Sequence, residues 1–170
     1  MPDGEATFRK ISMPAWIAPK AVGQPPMYEA LLQSRDLTQA WCTNPAHSES
    51  FPPIVFNITD GEASDCDQRE QLAICEKIRT IGTTDGKVLL INIHIATTSD
   101  SRSLLFPTEE EIPADNRYAR LLHDCSSPMP EELSEAIRQV RGDLAKPPFR
   151  GMSYNTSIAE LIAILNIGSI

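Results

Sequence analysis

Two short runs of apolar, mostly β-branched residues constrain the fold most strongly: Ile54–Ile58 and Val88–Ile95. Each run has the length of a strand and follows turn-forming proline or glycine, so each predicts a β-strand inside a sheet. For Ile54–Ile58 we expect burial on both faces. A helical pattern separates the runs through Leu72, Cys75, Ile78 and Ile81. This order predicts an α/β fold, a three-layer sandwich with a mostly parallel sheet and helices on both faces.

The rest of the chain continues this alternation. Apolar residues three or four apart predict helices over Met27–Cys42, Asp115–Cys125 and Pro130–Gly142. A last helix begins with a capping box at Ser157–Glu160. We expect its apolar side to face inward, with Ile158, Leu161, Ile162 and Leu165. Shorter patterns predict strands at Thr7–Ser12 and Phe149–Tyr154 and a long polar connection over Thr97–Pro113. We interpret residues 1–170 as one domain, in which residues 1–13 are weakly ordered or form an edge strand.

Composition and charge exclude several classes of protein. The apolar fraction of 41% and the charged fraction of 22% are ordinary for a globular domain. A net charge of −8 argues against a nucleic-acid surface, which needs a basic patch. No apolar run approaches the roughly 18 residues of a membrane span. The first residues lack the apolar core of a signal peptide, and the four cysteines show no CxxC spacing, so we expect reduced thiols and a cytoplasmic protein.

The acidic stretch that follows Ile54–Ile58 holds the candidate site. In α/β sheets, ligands collect at the carboxyl ends of the strands, and Asp60 lies at such an end. Asp60 could be a ligand for a hard cation such as Mg²⁺ or Ca²⁺, beside the Thr59 hydroxyl and the open backbone of Gly61. Alternatively, Asp60 and Gly61 form a plain turn, and the polar residues Glu62, Ser64, Asp65 and Asp67 favour the N-terminus of the next helix.

A third reading gives Asp60 a role in general acid–base chemistry. No nucleophile elbow, phosphate loop or HExxH motif accompanies it. His94, at the end of the next apolar run, is the nearest candidate for a catalytic base. We interpret His94 as a polar residue whose hydrogen bonds are satisfied at the edge of the sheet.

Several segments resemble von Willebrand factor A domains. "PPIVFNITDGE" is similar to the family's fourth-strand motif, "GQPPMYEAL" to its second motif, and "GKVLLINIHI" to the following strand. "FPTEEEIP", "LLHDCSSPMPEEL" and "RGMSYNTSIAELIAILNIGS" resemble a bacterial intracellular branch of the family. The resemblance covers residues 14–169 and implies an N-terminally incomplete form of the family's Rossmann-like fold.

The resemblance also implies a metal-ion-dependent adhesion site, of which this chain keeps one part. The family's ligands are a D-x-S-x-S motif, a threonine and an aspartate. The aspartate corresponds to Asp60, the threonine position holds Pro25, and the D-x-S-x-S motif is absent. Mg²⁺ or another divalent cation would therefore have Asp60 as its only implied protein ligand. The implied partner-binding residues are Asp60, Gly61, Glu62, Gly23 and Gln24.

The function that this resemblance implies is a non-enzymatic protein-interaction domain with a partial or degenerate metal site, such as a signalling scaffold. The family's first strand has no counterpart in this chain. The gap could be closed by the remaining strands or by a strand that another chain lends, as in a homo-oligomer, or the sequence could be an N-terminally truncated form of a longer protein. The alternatives are a degenerate structural or oligomerisation domain without metal and, with the least support, a small α/β hydrolase-like enzyme.

Overall fold

The computed structural model describes residues 26–95 and 102–167. These residues form four strands, β1 (Ile54–Thr59), β2 (Leu89–Ile95), β3 (Leu104–Leu105) and β4 (Met152–Thr156). Their five α-helices are α1 (Met27–Thr43), α2 (Gln68–Thr80), α3 (Arg117–Cys125), α4 (Ser134–Arg141) and α5 (Ile158–Ile167). Short 3₁₀ helices occupy Pro45–His47, Glu109–Glu111 and Glu131–Leu133.

The four strands form one mixed sheet in the order β1-β2-β4-β3. β1 pairs with β2 in parallel, in register from Ile54 opposite Leu89 to Thr59 opposite His94. β2 pairs with β4 in parallel, and the two-residue β3 is antiparallel to β4. The three parallel strands therefore point their carboxyl ends to one edge of the sheet, where ligands of α/β proteins collect.

Helices pack on both faces of this sheet. α1, α2 and α3 build one apolar cluster, to which β2 contributes Leu90. α4 and α5 build a second cluster around Ile91 and Ile93, which alternate with Leu90 along β2 and therefore lie on the opposite face of the sheet. The predicted fold class, a three-layer α/β sandwich with a mostly parallel sheet, is confirmed.

The prediction that Ile54–Ile58 is buried on both faces is wrong. Its residues are only half-buried, and Ile58 is 45% exposed. Among the residues that the structure describes, β1 pairs with β2 alone, so it has the burial of an edge strand. The predicted strand Thr7–Ser12 lies outside the described residues.

The inward face predicted for the last helix is also wrong in part. The capping box is present, because the Ser157 N–H donates to the Glu160 carboxylate at 2.7 Å and the Glu160 N–H donates to the Ser157 hydroxyl at 3.3 Å. Ile158, Ile162 and Leu165, however, are 68%, 57% and 37% exposed, and the buried residues of α5 are Ile164 and Ile167. Nearly every residue of α5 is apolar, so its spacing does not single out one face.

Smaller differences concern the bounds of elements. The stretch predicted as a polar connection contains β3, because Leu104 and Leu105 pair with β4. α3 begins at Arg117, after its capping residue Asn116. The predicted helix end at Gly142 is confirmed, with a φ of 70° that favours glycine.

Within residues 26–95 and 102–167, no helix has the length and apolar character needed to span a membrane.

Candidate functional site

The acidic loop, residues 59–67, leaves the carboxyl end of β1. The side chains of Asp60 and Glu62 are exposed there, next to the carboxyl ends of β2 and β4. Gly61, between them, has free space in front of its Cα, since an added Cβ would meet no atom within 4 Å. The loop thus presents two carboxylates and an unobstructed backbone to solvent.

Hydrogen bonds to neighbouring side chains hold the backbone between these two carboxylates in place. The Gly61 carbonyl accepts hydrogen bonds from the Thr59 hydroxyl, at 2.7 Å, and from the Tyr118 hydroxyl. The Gly61 N–H donates to the Thr59 oxygen at 3.1 Å. Burial raises the pKa of Tyr118 to about 12, so its phenol keeps the proton that it donates.

His94 fixes the same loop from the centre of the sheet. Its side chain, only 8% exposed, lies beside the backbone of Asp60. Its Nδ1 accepts the backbone N–H of Asn155 at 3.3 Å. The imidazole stacks on Tyr154, with ring centres 4.5 Å apart, and meets the edge of Tyr118 at 5.7 Å. His94 thereby joins the carboxyl ends of β1, β2 and β4.

The hydrogen bonds of His94 define its protonation. Because Nδ1 accepts a hydrogen bond, the proton of the neutral ring lies on the other nitrogen. Burial lowers the pKa of His94, and the nearby Asp60 offsets this only in part. The hydrogen bond from Asn155 to Nδ1 agrees with the interpretation of His94 as a polar residue satisfied at the edge of the sheet.

Asp65, further along the loop, caps a helix that is distant in sequence. Its carboxylate accepts the backbone N–H groups of Tyr28 at 3.0 Å and Glu29 at 3.2 Å, in the first turn of α1. Pro26, the capping residue of α1, provides no side-chain hydrogen bond. Desolvation by itself raises the pKa of Asp65, but these backbone hydrogen bonds outweigh it and the pKa is lowered.

Asp67 caps the next helix, as predicted by the interpretation in which the polar residues of the loop favour the N-terminus of that helix. It accepts the Glu70 N–H at 2.9 Å, and the Glu70 side chain accepts the Asp67 N–H at 2.9 Å. This capping box begins α2. The reading is therefore confirmed for Asp67, whereas Asp65 stabilises the N-terminus of α1.

The donors around Asp60 do not fit a metal site that this part of the chain could build alone. Within residues 26–95 and 102–167, no group of three or more His, Cys, Asp or Glu side chains could hold a metal ion. The Thr59 hydroxyl is committed to Gly61. Mg²⁺ requires about six oxygen ligands in octahedral geometry. The remaining predicted residues Gly23 and Gln24, and Pro25 at the family's threonine position, lie outside the described residues.

The structure adds residues that the sequence reasoning missed. Tyr118 lies in the helix predicted over Asp115–Cys125, Tyr154 ends the predicted strand Phe149–Tyr154, and Asn155 follows it; all three contact the loop or His94. Beside them lies a groove of 370 Å³, lined in part by Arg102, Asn116, Tyr154 and Asn155. The sequence holds no local signal for these contacts, because they join residues more than 50 positions apart.

Comparison of the chain with family models, curated proteins and solved structures finds no match. The resemblance to von Willebrand factor A domains therefore stays a prediction that depends on the motifs quoted above.

We predict that Asp65→Ala lowers the free energy of unfolding by about 1 kcal/mol, the usual value of a helix cap. The variant leaves two N–H groups of α1 without their carboxylate. Urea unfolding followed by circular dichroism measures the change. Glu49→Ala removes the same charge from an exposed loop residue and should change stability by much less. Equal losses in the two variants would contradict the capping role.

We predict that acid destabilises the protein through His94. The folded pKa lies below the usual 6.5, so the unfolded chain takes up this proton first as the pH falls. Stability from this group is complete above about pH 6.5 and is lost as the pH falls towards the folded pKa, by at most about 1.4 kcal/mol per pH unit. Urea unfolding between pH 7.5 and 5 should show a steeper loss in the wild type than in His94→Gln. Parallel pH profiles would refute the assignment.

Proposed function

We propose that this chain is a non-enzymatic protein-interaction domain of the von Willebrand factor A type, with a partial, degenerate adhesion site. Its docking surface is Asp60, Gly61 and Glu62, with Gly23 and Gln24 as further contacts. The observation that carries the proposal is the contrast within the loop. The carboxylates of Asp60 and Glu62 are exposed, while the backbone between them is held by hydrogen bonds.

A fixed backbone under exposed charges favours binding for a physical reason. A surface that is already ordered loses less conformational entropy when a partner docks. The loop backbone has lost that freedom in the unbound chain, through Tyr118, Thr59 and His94. The two carboxylates supply charge complementarity for a basic group of a partner, which gives orientation and specificity.

This proposal does not depend on a bound cation. Asp60 offers one carboxylate where the family's site uses three motifs, and the Thr59 hydroxyl is engaged. The surface would then bind its partner through the carboxylates themselves. As part of the proposal, the domain acts in the bacterial cytoplasm, where it would serve as a signalling scaffold.

We predict that the double variant Asp60→Asn/Glu62→Gln loses the partners that the wild type captures from native extract. Gly61→Trp should have the same effect, because its Cβ would meet no atom within 4 Å and a bulky side chain there would obstruct a docked partner. The matched control is Asp85→Asn/Glu132→Gln, which removes two exposed charges near the amino ends of the strands. Quantitative mass spectrometry of captured proteins compares the four chains.

Unchanged capture by both loop variants would place the docking surface elsewhere. Calorimetric titration with Mg²⁺, Mn²⁺ and Ca²⁺ serves as a second readout, and we expect no saturable heat at micromolar metal. Saturable heat that Asp60→Asn abolishes would instead assign a metal-dependent site to this loop.

A second candidate function is oligomerisation through β1. Among the described residues β1 pairs with β2 alone, and its sequence, IVFNIT, carries no charge or proline; edges of this kind readily pair with another chain. Ile58 is exposed on it, and Ile158 and Ile162 expose an apolar stripe on α5. A second copy could pair antiparallel with β1 and extend the sheet across a two-fold axis.

The second candidate predicts a dimer that Ile58→Lys converts to a monomer, because a lysine would place its charge against the added strand. Sedimentation equilibrium at micromolar concentration measures the mass. Leu37→Lys is the control, since Leu37 is an exposed apolar residue on α1. A wild-type monomer would exclude this candidate and would not contradict the proposed docking surface.

A further inference from the structure

Two arginine side chains meet at one backbone carbonyl, at the amino ends of the strands, which is the end of the sheet opposite the acidic loop. The Arg79 Nη1 donates to the Ser126 carbonyl at 2.9 Å, and the Arg150 Nη1 donates to the same oxygen at 3.3 Å. Arg79 lies in the last turn of α2, and Arg150 lies just before β4. The two guanidinium groups are therefore within two hydrogen-bond lengths of each other.

The carbonyl between them is held firmly. Ser126 is fully buried, and its hydroxyl donates to the Leu122 carbonyl at 2.6 Å. The same hydroxyl accepts from the Asn92 amide at 2.9 Å. Because Ser126 cannot move freely, it sets the positions of both guanidinium groups, so the pair is ordered without a ligand.

The charges of this pair are not balanced. Among the described residues, neither Arg79 nor Arg150 has a carboxylate within 4.0 Å, whereas Arg35, Arg120 and Arg138 each have one and Arg141 has two. The Ser126 carbonyl, at the C-terminus of α3, carries a partial negative charge that offsets part of one cation. Two cations so close repel each other. This local excess of positive charge occurs in a chain whose net charge is −8.

The hydrogen bonds of the pair are also incomplete. The Arg79 Nε is buried and has no hydrogen-bond partner among the described residues. Burial lowers the pKa of Arg150, and the neighbouring Arg79 lowers it further. Both side chains are only half-buried, so a ligand can reach them from solvent. Asp124 and Glu109 act on Arg150 from a greater distance and form no ion pair with it.

We propose that Arg79 and Arg150 form a binding site for a phosphate group. The planar forks of two guanidinium groups match the oxygens of phosphate, and hydrogen bonds between such charged groups are strong. A phosphate dianion neutralises both cations, whereas a single carboxylate neutralises one. The site lies at the amino ends of the strands, so it is independent of the proposed docking surface.

The test titrates the full chain with inorganic phosphate at constant ionic strength and follows amide signals by NMR. Phosphate should give saturable shifts around Arg79, Ser126 and Arg150, and acetate should bind much more weakly. Phosphoserine in a parallel titration shows whether a phosphate on a side chain fits as well as the free ion. Arg150→Met and Arg79→Met should each weaken binding by about tenfold or more, as the loss of a charged hydrogen bond predicts.

The control variant is Arg138→Met, which removes an exposed arginine that is paired with Glu135 and should leave phosphate binding unchanged. If Arg79→Met does not fold, Arg150→Met and Arg150→Lys test the site, and the lysine variant should still bind more weakly than wild type because it loses the planar fork. Shifts that do not saturate, or equal affinity in wild type and Arg150→Met, would overturn the proposal.

Discussion

The arrangement at the carboxyl edge of the sheet depends on one buried, neutral imidazole. His94 belongs to β2, lies beside the backbone of Asp60 after β1, and accepts a hydrogen bond from the backbone of Asn155 in β4. A buried polar ring is tolerated when it is hydrogen-bonded, and here a backbone N–H of the neighbouring strand provides that bond. His94 therefore connects the carboxyl ends of the three parallel strands, where the acidic loop begins.

The acidic residues of the loop divide into two groups by what they contact. Asp65 and Asp67 accept backbone N–H groups at the starts of α1 and α2, where helices leave donors unpaired. Asp60 and Glu62 remain exposed, while hydrogen bonds from Thr59 and Tyr118 hold Gly61 between them. The loop therefore stabilises two helices through one pair of carboxylates and keeps the other pair accessible.

A series of hydrogen-bonded polar side chains runs from β1 through β2 to the Arg79–Arg150 pair. The Asn57 amide donates to Asn92 at 2.9 Å, and Asn92 donates to Ser126 at 2.9 Å. Ser126 in turn accepts from Arg79 and Arg150 at the amino edge. These hydrogen bonds connect β1, β2 and the end of α3.

The sequence by itself determined the alternation of strands and helices, the caps at Asp67 and Ser157, and the position of Asp60 after a strand. These features depend on local spacing and on side chains that bond to their own backbone neighbours. Tertiary structure decided that β1 pairs with β2 alone among the described residues and that Asp65 caps α1. It also decided that α5 exposes Ile158 and Ile162. It also brought Tyr118 and His94 to the loop and Arg79 to Arg150. Such contacts join residues that are far apart in the chain, and residue spacing carries no information about which distant surfaces pack together.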